Sequence, residues 1–301
     1  MSEIAIEATR LYKTYDGLRW ALEDFSLKVM RGQVVSLLGR NGAGKTTFVR
    51  IAATQLRKTK GELRVLGYDV EREAKMVRER VAVVPQESHP LHLCTPWEHV
   101  YYYLNIRGIG RSEARERARS YLKDLELSDY MNVPASNLSG GLRRRVLVGM
   151  ALASEADLLF LDEPTIGLDP VSKHRVWEVV RKSVREGRTV LLTTHDMEEA
   201  EVLSDSVAIL EAGRVLASFS VQELKARIEK KMRVDLETSR LDLSLVRGYG
   251  RCIVLGSIVR VYTDLRGARE LAEIAVSNGA KATISPLTLE DVFLEVVNRA
   301  E

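Results

Sequence analysis

The stretch Gly39-Arg-Asn-Gly-Ala-Gly-Lys-Thr-Thr47 decides how the rest of this chain is read. It follows the apolar run QVVSLL at 33–38 and precedes FVRIAA at 48–53, which continues as a helix. Strand, glycine-rich loop and helix are the setting in which G-x-x-x-x-G-K-[ST] has a physical meaning. Gly39, Gly42 and Gly44 admit backbone conformations that a side chain forbids, with Arg40, Asn41 and Ala43 between them. The loop N–H groups then converge at a helix start, an anion site before any side chain contributes. Lys45 is placed to reach the outer phosphates, and the Thr46 hydroxyl, next to Thr47, to coordinate Mg²⁺. The expectation is a site for a nucleoside triphosphate. A glycine-rich turn between a core strand and a helix is the alternative, and Lys-Thr with both flanks in place counts against it.

Composition frames that site. A chain of 301 residues has room for one large α/β domain and a small appendage. Its 45% hydrophobic content fills a core and excludes a disordered chain. A net charge of +3 is too mild to argue for nucleic acid. Cys94 and Cys252 have neither disulfide arithmetic nor zinc spacing, so both are expected in the core, in a reducing compartment. The first residues have no basic and apolar leader pattern, and no apolar run approaches transmembrane length.

Along the chain, residues 3–11 and 22–30 read as half-buried strands around a polar excursion at 13–19. Tyr15 lies in that excursion, where it either stacks on an adenine ring or is an ordinary half-exposed tyrosine. Short strands are expected at 62–67 and 80–84. Gln86 follows the second, at the kind of strand end where open α/β sheets bind ligands. Its amide oxygen suits Mg²⁺ or an attacking water, unless it is a surface glutamine. Helical periods at 96–106, 111–127 and 139–153 form a block within 87–155. Its third helix opens at Leu138-Ser-Gly-Gly-Leu142, a capped start with bared backbone at Ser139, Gly140 and Gly141. The buried strand in DLLFLDEP, 157–164, ends in Asp162 and Glu163, carboxylates that need a cation nearby or else serve as helix caps. Asp162 fits a metal-holding acid, and Glu163 points one residue further, at the place where water attacks. GLDP at 167–170, with Asp169, leads into a helix over 171–186. A buried strand at 188–194 then ends at His195, on the sheet's ligand edge, and a hairpin over 206–219 follows. The tail reads as strands at 251–255, 258–262 and 282–285 with helices at 266–277 and 289–298.

GRNGAGKTT, Gln86, LSGGL at 138–142, LLFLDEP, GLDP and TTHD occur in this order. Together they resemble the nucleotide-binding subunit of an ATP-binding cassette (ABC) transporter over residues 1–220. LSGG between the phosphate loop and the acid-ended strand is specific, because other P-loop families lack it. Residues 221–301, with PLTLEDVFLEVV at 286–297, resemble the C-terminal extension of drug-, sodium- or polysaccharide-exporter ATPases.

The resemblance implies a P-loop (RecA-like) α/β core with an antiparallel β subdomain, a helical subdomain near 87–155 and a small α+β C-terminal domain at 221–301. It also implies ATP and Mg²⁺. Tyr15 would stack on adenine, and Gly39, Arg40, Asn41, Gly42, Ala43, Gly44, Lys45, Thr46 and Thr47 would hold phosphates. Thr46, Gln86 and Asp162 would surround the metal. Glu163 would polarise the water, with Gln86 and Lys45 assisting and His195 on the γ-phosphate. Ser139, Gly140 and Gly141 would close over the ATP of a second copy or a paralogous ATPase, with Asp169 at that head-to-tail interface. A separate membrane permease would dock near 87–103, a segment from Glu87 to the aromatic residues Trp97, Tyr101, Tyr102 and Tyr103. Core packing is the other reading of those rings. The subunit is then expected on the cytoplasmic face of a membrane. Leu142 stands where the family most often has glutamine, which implies altered interface contacts and not a dead site. One cassette, modest charge and no heptads argue against DNA- or ribosome-directed relatives, so no nucleic-acid partner is expected.

Overall fold

From the amino terminus, β1 (Ile4–Thr14) and β2 (Trp20–Met30) form a long antiparallel pair, and β3 (Val34–Leu38) leads through the glycine loop into α1 (Lys45–Ala52). β4 (Lys60–Val65) and β5 (Tyr68–Asp69) return beside β1, giving a four-stranded antiparallel sheet in the order β2-β1-β4-β5. α2 (Ala74–Arg80), β6 (Val81–Val84) and three helices, α3 (Pro96–Ile106), α4 (Arg111–Asp124) and α5 (Gly140–Ala153), come next. β7 (Leu158–Asp162), α6 (Pro170–Arg185), β8 (Thr189–Thr194), α7 (Met197–Leu203), β9 (Ser206–Glu211) and β10 (Arg214–Ser220) follow. This computed structural model describes residues 3–221, 223, 232–237 and 243–300. The chain divides into two units, Met1–Ser218 and Phe219–Glu301.

In the first unit a six-stranded sheet runs β10-β9-β3-β8-β7-β6. The pairs β3–β8, β7–β8 and β6–β7 are parallel, with Val34 opposite Val190, Leu158 opposite Thr189 and Val81 opposite Leu158. Every residue of β3, β7 and β8 is buried, as parallel strands covered on both faces require. Alternate residues feed two cores. Leu159, Leu161, Val190 and Leu192 join the helical side with Val100, Leu104 and Leu152. Leu158, Phe160 and Leu191 join β1, β2 and α1, where Phe25 and Phe48 lie 4.4 Å apart. Because β3, β8, β7 and β6 are adjacent and parallel, their carboxyl ends open on one edge, which is where such sheets bind ligands.

Several elements depart from the sequence reading. Lys13 and Thr14 are strand residues, since Thr14 pairs with Trp20. Tyr12 meets Trp20 edge-on at 5.5 Å and the Lys60 ammonium lies 4.4 Å from the Tyr12 ring, which extends the sheet through polar sequence. Arg80 ends a short helix, α2, and does not open β6. α4 stops at Asp124, and Glu126 takes a φ of 56° between the two buried leucines Leu125 and Leu127. Cys94 and Cys252 are half-buried and not enclosed in the core: Cys94 lies in the loop before α3, and Cys252 packs partly buried at the margin of the second unit's small core.

The second unit is a four-stranded antiparallel sheet of β11 (Met232–Glu237), β12 (Arg251–Leu255), β13 (Ile258–Thr263) and β14 (Ala282–Pro286), in the order β12-β13-β11-β14. α8 (Leu265–Ser277) buries Ala268, Leu271 and Ala275 against Val234, Leu236, Val259 and Val261. Between those apolar positions Arg233 and Asp235 alternate, and Arg260 meets the Asp235 carboxylate at 2.8 and 3.1 Å. In α9 (Leu289–Ala300) the buried Asp291 accepts from the Tyr262 hydroxyl at 3.0 Å and from Arg233 at 3.3 Å. β11 is a pairing partner on both sides, yet it was absent from the sequence reading. The expectation for 221–301 also covers 222, 224–231, 238–242 and 301, which lie outside the described residues.

Candidate active site

The glycine loop is shaped by close backbone approach. A Cβ at Gly39 would collide with the Leu210 carbonyl oxygen, and one at Gly44 would lie 2.6 Å from the Ala21 carbonyl, on a backbone with φ of 108°. Those two positions exclude any side chain. α1 begins directly after Gly44 and buries Phe48, Val49, Ile51 and Ala52, which anchors the loop from behind. Lys45 is buried and donates to the carbonyls of Gly39 at 2.6 Å and Arg40 at 3.4 Å. Residues 40–47, Ala21 and Gln86 line a cavity of about 240 Å³. A second cavity of about 330 Å³ adds Tyr15 and Asp162 to Thr46, Thr47 and Gln86. Tyr15 is 62% exposed, and its hydroxyl is 3.2 Å from the Thr47 hydroxyl. The Lys13 ammonium lies 5.2 Å from its ring.

The acid end of β7 faces this loop. Asp162 accepts from the Thr46 hydroxyl at 2.8 Å and, on its other oxygen, from the Thr193 hydroxyl of β8. Glu163 stands on a left-handed backbone, φ 52°, and its N–H donates to the Thr193 carbonyl at 3.0 Å. Strain of this kind persists only where the surroundings over-determine it. The Glu163 carboxylate, on a residue 3% exposed, lies 3.5 Å from Lys45 Nζ and 2.9 Å from Nδ1 of His195. His195 is itself about half exposed.

Buried carboxylates need compensating charge, and Arg144 of α5 adds to Lys45. Its guanidinium, on a residue 6% exposed, donates to five main-chain carbonyls at the ends of β6 and β7. Burial pushes Arg144 down from its ordinary value, and the charges of Asp162, Glu163 and Glu199 oppose that. Glu199 of α7 is equally enclosed and accepts from the Thr165 hydroxyl at 2.7 Å and from the Trp177 indole at 3.1 Å. Burial pushes its carboxyl above the usual carboxylate range, against those hydrogen bonds. At Asp196, the cap of α7, burial raises the carboxyl. Lys173, with the Glu199 and Glu198 N–H groups, outweighs it and holds Asp196 below its ordinary value.

Ser139, Gly140, Gly141 and Asp169 do not join this cluster within the chain. The Ser139 hydroxyl caps α5 by accepting from Leu142 N–H at 3.2 Å, and Asp169 caps α6 through Ser172. A Cβ on Gly141 would sit 3.3 Å from Leu168, so the start of α5 and the loop before Asp169 share one surface. Ser139 and Asp169 are exposed there. Leu142, the departure from glutamine, packs partly buried against the helical core. In 87–103, Trp97 and Tyr101 stack at 4.9 Å and pack with Tyr103 on that core. Tyr102 stays 52% exposed, as do Leu91 at 65% and Leu93 at 90%.

The donors around the loop are a hydroxyl, a carboxylate and an amide oxygen, hard ligands that suit Mg²⁺. Among the described residues no group of three or more His, Cys, Asp or Glu side chains is arranged to hold a metal. Thr193, Arg144 and Glu199 escaped the sequence reading. Thr193 lies inside the quoted TTHD run, Arg144 inside the triple arginine 143–145, and Glu199 in an acidic helix turn.

A glycine loop entering a helix, with Asp162, Glu163 and His195 on neighbouring parallel strand ends, defines a P-loop ATPase cassette. A family profile described as "ABC transporter" matches residues 22–166. The daunorubicin/doxorubicin resistance ATP-binding protein DrrA of Streptomyces peucetius is 41% identical over 224 residues, 74% of this chain and 68% of that protein. Nod factor export ATP-binding protein I of Cupriavidus pinatubonensis is 33% identical over 300 residues, 98% of this chain and 91% of that protein. The dimeric cassette MJ0796, solved in a post-hydrolysis state with ADP and Pi, aligns with a TM-score of 0.67 and 26% identity, over 72% of this chain and 98% of its own. The chain belongs to the ABC transporter family, as an ATP-binding subunit of the exporter type, and it is an ATPase. Cassettes of this family form dimers and work with membrane permease components. No described helix is long and apolar enough to cross a membrane.

Proposed function

We propose that this chain closes head to tail on a second copy, or on a paralogous ATPase, and that hydrolysis at the shared sites drives export through a separate permease. The placement of Glu163 between Lys45 and His195, at the mouth of the glycine loop, is the observation that carries this reading. In it the loop N–H groups and Lys45 hold the phosphates, and Tyr15 supplies a stacking face for adenine. Thr46 and Asp162, already hydrogen-bonded at 2.8 Å, hold Mg²⁺ with Gln86. Bound there, Mg²⁺ would neutralise charge on the phosphate oxygens. Glu163 accepts a hydrogen bond from the attacking water, and His195 orients Glu163 while facing the γ-phosphate.

Ser139, Gly140 and Gly141 complete the site of the opposite subunit, with Asp169 beside them. The exposure of Ser139, Gly140 and Asp169, with Gly141 half-buried against Leu168, supports that role. The permease docks beside 87–103, over Tyr102, Leu91 and Leu93. The names of DrrA and the Nod factor protein support export, and dependence on ATP supports a position on the cytoplasmic face of the membrane. Glu163→Gln should bind ATP and stabilise the dimer while turnover falls by about 100-fold or more, the scale of general-base catalysis. Undiminished turnover would remove Glu163 from this role.

A further inference from the structure

Arg144 carries the next step. Its Nε donates to the Pro164 carbonyl at 3.2 Å, one terminal nitrogen to Pro85 at 2.8 Å and Gln86 at 3.2 Å, and the other to Glu163 at 2.7 Å and to Asp162. A guanidinium has five N–H groups in a fixed planar fork, and all are used here on the main chain of two strand exits. The residues so gripped include Gln86 and Glu163, while the gripping side chain belongs to the helix that begins at Ser139.

We propose that Arg144 is a positioning residue for hydrolysis. It holds Gln86 and Glu163 at one spacing through their carbonyls, and ties both to the helix start that serves the other ATP. The proposal rests on the reading of Gln86 and Glu163 given above. Lysine keeps the charge but concentrates three donors at one point, so it cannot satisfy carbonyls on both sides of the fork. Misplacing reacting groups by about 1 Å costs on the order of 100-fold in rate. Contacts to the phosphates are untouched, so the loss belongs in kcat and not in binding.

The test uses the full chain with MgATP and compares wild type, Arg144→Lys, Arg144→Gln and Glu163→Gln, each checked for fold by circular dichroism. Arg144→Lys should lower kcat by about 10- to 100-fold with KM for ATP within about twofold of wild type. Arg144→Gln should lie lower still, so that lysine gives partial rescue. A wild-type kcat in Arg144→Lys, a defect confined to KM, or failure of both Arg144 variants to fold would each overturn the proposal. Turnover retained in Glu163→Gln would instead overturn the underlying reading and take this proposal with it. An inert Glu163→Gln beside an unimpaired Arg144→Lys would remove the positioning role alone.

Discussion

Two buried carboxylates, Glu163 and Glu199, show how placement, not residue type, sets their chemistry. Glu163 meets Lys45 and His195, whereas Glu199 is enclosed with neutral donors from Thr165 and Trp177. Burial raises the Glu199 carboxyl, so the folded chain holds that proton above the ordinary value of 4.5. The unfolded chain binds fewer protons there, and stability falls as pH rises from that value through the folded one. Glutamine does not titrate. Urea unfolding across a pH series should therefore show Glu199→Gln gaining on wild type through that window and running level above it. Parallel profiles would contradict the assignment. Residues at strand ends, such as Asp162 and His195, could be picked out because an apolar run announces where a strand stops, and Lys45 by its place in the glycine-loop motif. Glu199 sits in Met197-Glu-Glu-Ala200, where nothing local separates the enclosed carboxylate from its solvated neighbour Glu198.

At the scale of elements, α9 is fixed to its sheet through Asp291, which Tyr262 and Arg233 approach from two strands. Removing one partner of such a buried group leaves the others uncompensated. Asp291→Ala should lower the stability of the second unit by about 3 kcal/mol, read by denaturant unfolding. In α3 the aromatic residues divide by exposure. Trp97 and Tyr101 stack on the core, while Tyr102 faces outward. Tyr102→Ala should leave the melting temperature nearly unchanged and weaken co-purification with the permease. Full retention of the permease in that variant and in Trp97→Ala would move the dock elsewhere. The helical period over 96–106 made α3 legible from sequence, and the structure adds a capping box in which Thr95 accepts from Glu98 N–H and Glu98 from Thr95 N–H. α2 was not, because its seven residues include only one buried position, Val77, to set a period.

For the whole molecule, a head-to-tail dimer makes a distinct prediction. Lys45→Ala and Ser139→Arg should each abolish turnover alone. When the two chains are mixed, every mixed dimer contains one site with both defects and one with an intact loop and an intact serine helix. Turnover should therefore reappear on mixing, measured as phosphate release. Silence in the mixture, with mixed dimers shown by affinity pull-down, would mean that Ser139 acts on its own chain's site.

The glycine loop, the cap at Ser139, and the buried runs of β3, β7 and β8 were determined by the sequence itself. Each expresses a local property: a glycine conformation, a cap one turn from its donor, or an unbroken apolar stretch. Only the tertiary structure decided which arginine of 143–145 turns inward, that Thr193 holds Asp162, and that β11 joins β13 to β14. Those outcomes depend on partners far along the chain, as with Arg144 and Pro85, 59 positions apart. A charged or alternating segment gives no sign of its burial until the fold brings the matching carbonyl, carboxylate or strand beside it.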